Sequence, residues 1–217
     1  FHSLPNDSKH VYLIDDDASM RSAIKGILGS FDYQVHLFSS AKDFLDAQTH
    51  ATPAVIVVDM SMPDLSGVEL QAELHKRGRQ TPIIFISGYS TLPQVVAAMK
   101  GGAIEFLLKP FDGKELHAAV VKGLAQEINR MKSDMHRVAV EERLQKLTPR
   151  EREVFDRLSL GYNNAQIQSA LNISLPTAKQ YKSVVMRKLS IGSLSELLTL
   201  SRDATTRVQD KGTDVTH

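Results

Sequence analysis

The chain has 217 residues, of which 42% are hydrophobic and 24% charged, and its formal net charge at pH 7 is +1; this composition excludes a largely disordered or fibrous protein. The absence of cysteine excludes disulfides and cysteine-ligated zinc, and it favours a cytoplasmic location. No apolar run approaches the roughly 20 residues that a membrane-spanning helix needs, so we expect no membrane partner.

Residues 9–121 alternate short apolar runs with amphipathic segments. The runs predict five strands, at residues 10–14, 35–38, 54–58, 83–86 and 104–108. Apolar residues at helical spacing lie between them, and a further helix is expected from about Gly113. Strands that alternate with helices form a parallel sheet covered on both faces, in which each strand is continuously apolar, as these are. We therefore predict an α/β domain with a five-stranded, doubly wound, flavodoxin-like sheet.

Polar side chains follow four of these strands at their carboxyl ends. They are Asp15 and Asp16 after the first strand, Asp59 after the third, Ser87 after the fourth and Lys109 after the fifth. Ligands of open parallel sheets bind at this edge. Clustered carboxylates repel one another and favour a bound cation, and a set of oxygen ligands suits Mg²⁺. A carboxylate beside Mg²⁺ can attack phosphorus, while a lysine and a hydroxyl hold the transferring group.

The order of these motifs resembles the receiver domain of two-component response regulators. The motifs are Asp15-Asp16, the Asp-x-x-Met-Pro-x-x-x-Gly segment from Asp59 to Gly67, Ser87-Gly88 and Lys109-Pro110-Phe111. The resemblance implies that Asp59 accepts a phosphoryl group from a sensor histidine kinase. It also implies a Mg²⁺ site, in which Mn²⁺ can substitute, formed by Asp15, Asp16, Asp59 and the backbone carbonyl of Ser61.

The same resemblance implies a switch. Lys109 would pair with the acyl phosphate, and the Lys109–Pro110 peptide bond would be cis. Ser87 would move toward a phosphoryl oxygen, and Phe106 would rotate into the space that Ser87 leaves. The helix after the fourth strand and the fifth strand itself would form the dimer face of the activated protein.

Residues 122–146 predict a long helical linker. Its apolar residues follow a heptad spacing at Leu124, Ile128, Met131, Met135 and Val138, which is typical of a coiled coil. This seam covers barely two heptads. A single amphipathic helix that packs on its own domain is therefore an alternative with equal support.

Residues 147–202 predict a small helical bundle, followed by a flexible tail at 203–217. Residues 148–202 carry 8 Lys and Arg against 4 Asp and Glu, whereas residues 1–121 carry 10 against 14. Thr148 and Pro149 are typical of a helix start, and a second such start follows at Ser174. The segment resembles the helix-turn-helix domain of LuxR-type regulators. It departs from that family at Ala178 and Tyr181, where valine and histidine are usual.

The resemblance implies that the helix after Ser174 enters the major groove of double-stranded DNA. Its implied phosphate contacts are Lys179, Lys182, Arg187 and Lys188. Gln180 and Ser183 are its candidate readers of base edges.

The whole order of domains resembles the response regulators of the NarL/FixJ type. This implies a transcription regulator that forms a homodimer on phosphorylation, contacts RNA polymerase and catalyses only its own phosphoryl transfer and dephosphorylation. One alternative is a Mg²⁺-dependent phosphohydrolase of the haloacid dehalogenase type, since Asp15 and Asp17 form an Asp-x-Asp motif after a strand. Its second acidic pair and its cap domain have no counterpart in the sequence. The other alternative is a DNA-binding regulator that acts without phosphorylation.

Overall fold

Five strands and nine helices make up residues 8–205, the part of the chain that this computed structural model describes. The chain divides into two units, with the boundary between Met131 and Lys132. None of the described helices has both the length and the apolar character that crossing a bilayer requires.

The first unit contains a parallel sheet with the strand order β2-β1-β3-β4-β5. The strands are β1 (His10–Ile14), β2 (Gln34–Phe38), β3 (Ala54–Asp59), β4 (Ile83–Ser87) and β5 (Glu105–Leu108). The helices between them are α1 (Ala18–Gly29), α2 (Ala41–Asp46), α3 (Gly67–Lys76) and α4 (Leu92–Lys100), and α5 (Gly113–Gln145) follows β5. This confirms the predicted doubly wound sheet.

Both faces of the sheet are covered because successive residues of a strand point to opposite sides. Ile56 and Val58 of β3 pack in a cluster that also contains Leu70 of α3 and Ala98 of α4. Val57, between them, packs in the opposite cluster with residues of α1 and α5. The three central strands are buried along their whole length, which explains their unbroken apolar sequences.

The predicted helix at residues 122–146 is the later part of α5, which runs without a break from Gly113 to Gln145. The apolar residues of the heptad spacing have different surroundings. Leu124 is 3% exposed and packs in a core cluster of the first unit, as the alternative of an amphipathic helix requires. Met135 and Val138 are exposed, so only this later part of the spacing lies open to another helix.

The second unit is a helical bundle, as predicted. It contains α6 (Pro149–Ser159), α7 (Asn164–Leu171), α8 (Leu175–Lys188) and α9 (Leu194–Thr205). At the predicted start of α6, Thr148 and Glu151 form a capping box. Ser174 caps α8 by accepting a hydrogen bond from the backbone N–H of Thr177. Helix α9 includes the first three residues of the predicted tail, and residues 206–217 of that tail lie outside the described part of the chain.

The turn between α7 and α8 depends on Asn172. This residue ends α7 in the left-handed conformation, with φ of 50°, which asparagine tolerates better than most residues. The buried residues of α8 are Ala178 and Val185, and Leu189 follows directly after its end. All three belong to the core cluster that also contains Val154 and Phe155 of α6. The bundle therefore keeps an apolar interior although the sequence departs from the usual valine at Ala178.

Candidate functional site

Three carboxylates meet at the carboxyl ends of β1 and β3. Asp15 directly follows β1 and is fully buried, Asp16 is exposed, and Asp59 ends β3 and is 8% exposed. Each offers one oxygen, and these oxygens lie within 4.8 Å of one another. They converge because β1 and β3 are neighbours in the sheet, paired from His10–Ala54 to Ile14–Val58.

Within the described part of the chain, the carboxylate of Asp59 has one oxygen without a partner. Its Oδ1 is buried and accepts no hydrogen bond from the described residues. Leaving such an acceptor unsatisfied costs free energy. A hard divalent cation takes oxygen ligands and would satisfy this atom and the two neighbouring carboxylates together. The residues present therefore fit the predicted metal site.

Lys109 connects the fifth strand to this cluster. Its Nζ lies 2.9 Å from Oδ2 of Asp15 and 3.5 Å from Oδ2 of Asp59. Burial raises the pKa of the Asp59 carboxyl, the charge of Lys109 opposes this, and the charge of Asp15 adds to it. The backbone N–H of Ser61 also lowers this pKa. The ionised form of Asp59, which is the nucleophilic form, therefore depends on positive charge at this edge of the sheet.

The surroundings of Gly67 explain why the Asp-x-x-Met-Pro-x-x-x-Gly segment ends with glycine. Its backbone N–H donates to the carbonyl of Met60 at 3.1 Å, which folds the segment back toward β3. A Cβ at this position would lie 2.9 Å from the carbonyl oxygen of Asp59 and 2.8 Å from Cε1 of Phe85. The glycine thus permits a close approach of α3 to the residue that ends β3.

The hydroxyl of Ser87 is completely buried at the end of β4. It donates to the carbonyl of Tyr89 at 2.7 Å and accepts a hydrogen bond from the Ser90 hydroxyl at 2.7 Å. The backbone N–H of Tyr89 also donates to it, at 3.2 Å. Sequence reasoning missed Ser90, because the only signal was a hydroxyl three residues after Ser87.

Phe106 lies inside β5, opposite Phe85 in the register of β4 and β5, and is half-buried. It lines a cavity of about 570 Å³ between β5 and α5, together with Leu108 and Ala119. The Lys109–Pro110 peptide bond is cis, as the resemblance implies. Asp17, the third acid after β1, caps α1 by accepting hydrogen bonds from two backbone N–H groups.

The predicted DNA contacts on α8 do not all share one surface. Four of these residues are exposed, and their spacing places them on one face of the helix: Lys179, Gln180, Ser183 and Arg187. Lys182 is half-buried. Lys188 lies on the opposite side of the helix. Its Nζ is 2.7 Å from Oε2 of Glu151 on α6 and 3.3 Å from the carbonyl of Lys146.

Two family models match the chain. The model of the response regulator receiver domain matches residues 11–121, and the model of bacterial regulatory proteins of the luxR family matches residues 145–201. The chain is 37% identical over 195 residues to the transcriptional regulatory protein FixJ of Bradyrhizobium diazoefficiens, which covers 90% of this chain and 95% of that protein. It is 34% identical over 189 residues to the response regulator protein TodT of Pseudomonas putida, covering 87% and 83%.

Two solved structures extend the similarity to the fold. A low-resolution structure of the response regulator StyR has a TM-score of 0.78 and 35% identity, and covers 90% of this chain and 98% of that one. The crystal structure of full-length FixJ from B. japonicum has a TM-score of 0.56 and 36% identity, and covers 91% and 97%. Both similarities include the receiver fold and the helical C-terminal region.

Proposed function

This chain belongs to the NarL/FixJ-type response regulators, and we propose that phosphorylation of Asp59 by a histidine kinase controls its binding to double-stranded DNA. The observation that carries the proposal is the carboxylate of Asp59. It lies beside Lys109 and two acidic neighbours, and one of its oxygens is buried with no partner among the residues that the structure describes. The proposed receiver is residues 9–121, the linker 122–146 and the DNA-binding domain 147–202.

The metal in this proposal is Mg²⁺, for which Mn²⁺ can substitute. Its ligands would be Asp15, Asp16, Asp59 and the backbone carbonyl of Ser61. When bound, it neutralises charge on these carboxylates and on the incoming phosphoryl oxygens. The oxygen-only donor set supports Mg²⁺ over metals that prefer histidine or thiolate ligands.

In the proposed reaction, an oxygen of Asp59 attacks the phosphorus of a phosphohistidine on the kinase. The new oxygen–phosphorus bond forms as the nitrogen–phosphorus bond breaks, and the electron pair returns to the histidine nitrogen. Lys109 holds its ammonium beside the reacting carboxylate and pairs with the negative charge of the product. The phosphoryl group of the product carries about 1.5–2 negative charges, in place of the single charge of the carboxylate, and brings three new acceptor oxygens.

These acceptors attract the hydroxyl of Ser87, which can donate to a phosphoryl oxygen only after it leaves the carbonyl of Tyr89. Phe106 then rotates toward the space that Ser87 leaves. Two exposed leucines support a homodimer that forms on α4 and β5 in this state, Leu92 at 76% exposure and Leu108 at 61%. Exposed apolar side chains on these two elements are what an interaction site there would use.

On DNA, α8 would lie in the major groove. Lys179, Lys182 and Arg187 would contact phosphates, and Gln180 and Ser183 would read base edges. Lys188 remains a predicted phosphate contact, although its ion pair with Glu151 favours a mainly structural role. A cytoplasmic location and a contact with RNA polymerase complete the proposal.

The intact mass of the protein after incubation with Mg²⁺ and acetyl phosphate tests the proposal. We expect the gain of one phosphoryl group in the wild type, and no gain in Asp59→Asn or without a divalent metal. The absence of an adduct together with steady phosphate release would instead indicate a phosphohydrolase. The absence of both would indicate a regulator that acts without phosphorylation.

A further inference from the structure

The hydroxyl of Ser87 is held by its own loop. A serine hydroxyl has one proton, and that proton is already donated to the Tyr89 carbonyl at 2.7 Å. Its oxygen accepts hydrogen bonds from the Ser90 hydroxyl and the Tyr89 backbone N–H. Ser87 itself is completely buried, so within the described residues its hydroxyl is held by these loop partners.

Ser90 strengthens this arrangement. A hydroxyl that accepts a hydrogen bond becomes a better donor, because the bonds of a chain polarise one another. The bond from Ser90 to Ser87 therefore reinforces the bond from Ser87 to the Tyr89 carbonyl. Both bonds compete with the movement of Ser87 toward a phosphoryl oxygen at Asp59.

We infer that Ser90 is a positioning residue that holds Ser87 away from Asp59 in the unphosphorylated protein, and so raises the free energy of switching. This role depends on the phosphorylation of Asp59 proposed above. Ser90 acts through Ser87 and need not touch the phosphoryl group. Its loss weakens a contact of the resting form, and the switched form becomes easier to reach.

Beryllium trifluoride provides the test, because it binds to a carboxylate beside a divalent cation and mimics an acyl phosphate. Its affinity for the full chain is measured by titration at saturating Mg²⁺. We expect Ser90→Ala to bind it about twofold to tenfold more tightly than the wild type, the equivalent of about 0.4–1.4 kcal/mol, which is the size expected of one neutral hydrogen bond. The affinity for Mg²⁺ alone should not change, which a general disturbance of the site would not predict.

Three further variants make the test specific. Ser90→Thr keeps the hydroxyl and should restore the wild-type affinity. Ser22→Ala removes an exposed serine of α1 and should have no effect. In a Ser87→Ala background, Ser90→Ala should have no effect either, because the two residues act as one coupled pair.

The possible results separate the two proposals. A wild-type protein that does not bind beryllium trifluoride with Mg²⁺ would overturn the proposed function, and the role of Ser90 with it. A wild-type protein that binds, combined with a Ser90→Ala variant of equal or weaker affinity, would overturn the role of Ser90 alone. The same holds if Ser90→Ala keeps its full effect in the Ser87→Ala background.

Discussion

Replacement of Gly67 by alanine should destabilise the receiver domain. The added Cβ would lie 2.8 Å from Cε1 of Phe85 and 2.9 Å from the carbonyl oxygen of Asp59. Neither neighbour can move aside easily, because Phe85 is fully buried in the core and the carbonyl belongs to the backbone at the end of β3. The strain must therefore displace the start of α3 or Asp59 itself, the proposed phosphoacceptor.

Overpacking of this kind costs about 1–3 kcal/mol. We expect Gly67→Ala to lower the free energy of unfolding by about 2 kcal/mol, measured by urea unfolding of the full chain. We also expect slower phosphorylation by acetyl phosphate, because the strain acts directly on the backbone of Asp59. A phosphorylation rate equal to that of the wild type would contradict this second expectation.

Gly26 offers a matched control in the same domain. It lies within α1, and a Cβ added there would meet no heavy atom within 4 Å. Gly26→Ala should therefore stabilise the protein by about 0.5–1 kcal/mol, because alanine loses less conformational entropy than glycine in a helix. If the two variants changed stability in the same direction and by similar amounts, the steric reasoning would be refuted.

Three other expectations concern DNA, acid and metal. Lys179→Ala should reduce the slope of log binding constant against log salt concentration for DNA by about one unit, which titrations at several salt concentrations measure. Lys188→Ala should instead mainly lower the midpoint of urea unfolding, because the Lys188 ammonium pairs with the Glu151 carboxylate of α6. Burial and the imidazole of His36 lower the pKa of His10, so the folded protein binds a proton at His10 less readily than the unfolded chain does. The contribution of neutral His10 to the free energy of unfolding should therefore be complete above pH 6.5 and be lost as the pH falls through the lowered pKa of the folded state. Urea unfolding between pH 5 and 7.5 should show this decline in the wild type and a smaller one in His10→Gln. Removal of Mg²⁺ should lower the melting temperature, since Mg²⁺ at one hundred times its dissociation constant adds about 2.7 kcal/mol to the free energy of unfolding. Asp16→Asn should lose most of this response in a thermal melt.

The fold of the first unit was predictable because its signal is local. A parallel strand that is buried on both faces needs an unbroken apolar sequence, and β1, β3 and β4 each have one. The capping residues Thr148 and Ser174 similarly marked the starts of α6 and α8. Such features depend on neighbours in the sequence, so they can be identified before the tertiary structure is known.

The convergence of the site was predictable for a topological reason. In a parallel sheet, residues that follow different strands lie at one edge, so Asp15, Asp59 and Lys109 could be expected together although they are far apart in the sequence. Their distances depend on the strand order and register, which place β1 beside β3 and β4 beside β5. The roles of these residues in phosphoryl transfer remain predictions.

Other features depend on which elements pack against each other, and only the tertiary structure decides them. The heptad spacing of α5 includes Leu124, but the core of the first unit buries this residue and leaves Met135 exposed. The basic residues of α8 include Lys188, but Glu151 on another helix binds its ammonium. The amino-acid sequence thus specified the elements, the order of the domains and the residues at the sheet edge, because periodicity, capping and strand ends are local properties. The surroundings of Leu124, Met135 and Lys188 were decided by long-range packing, because each of these side chains contacts whatever the folded chain brings beside it.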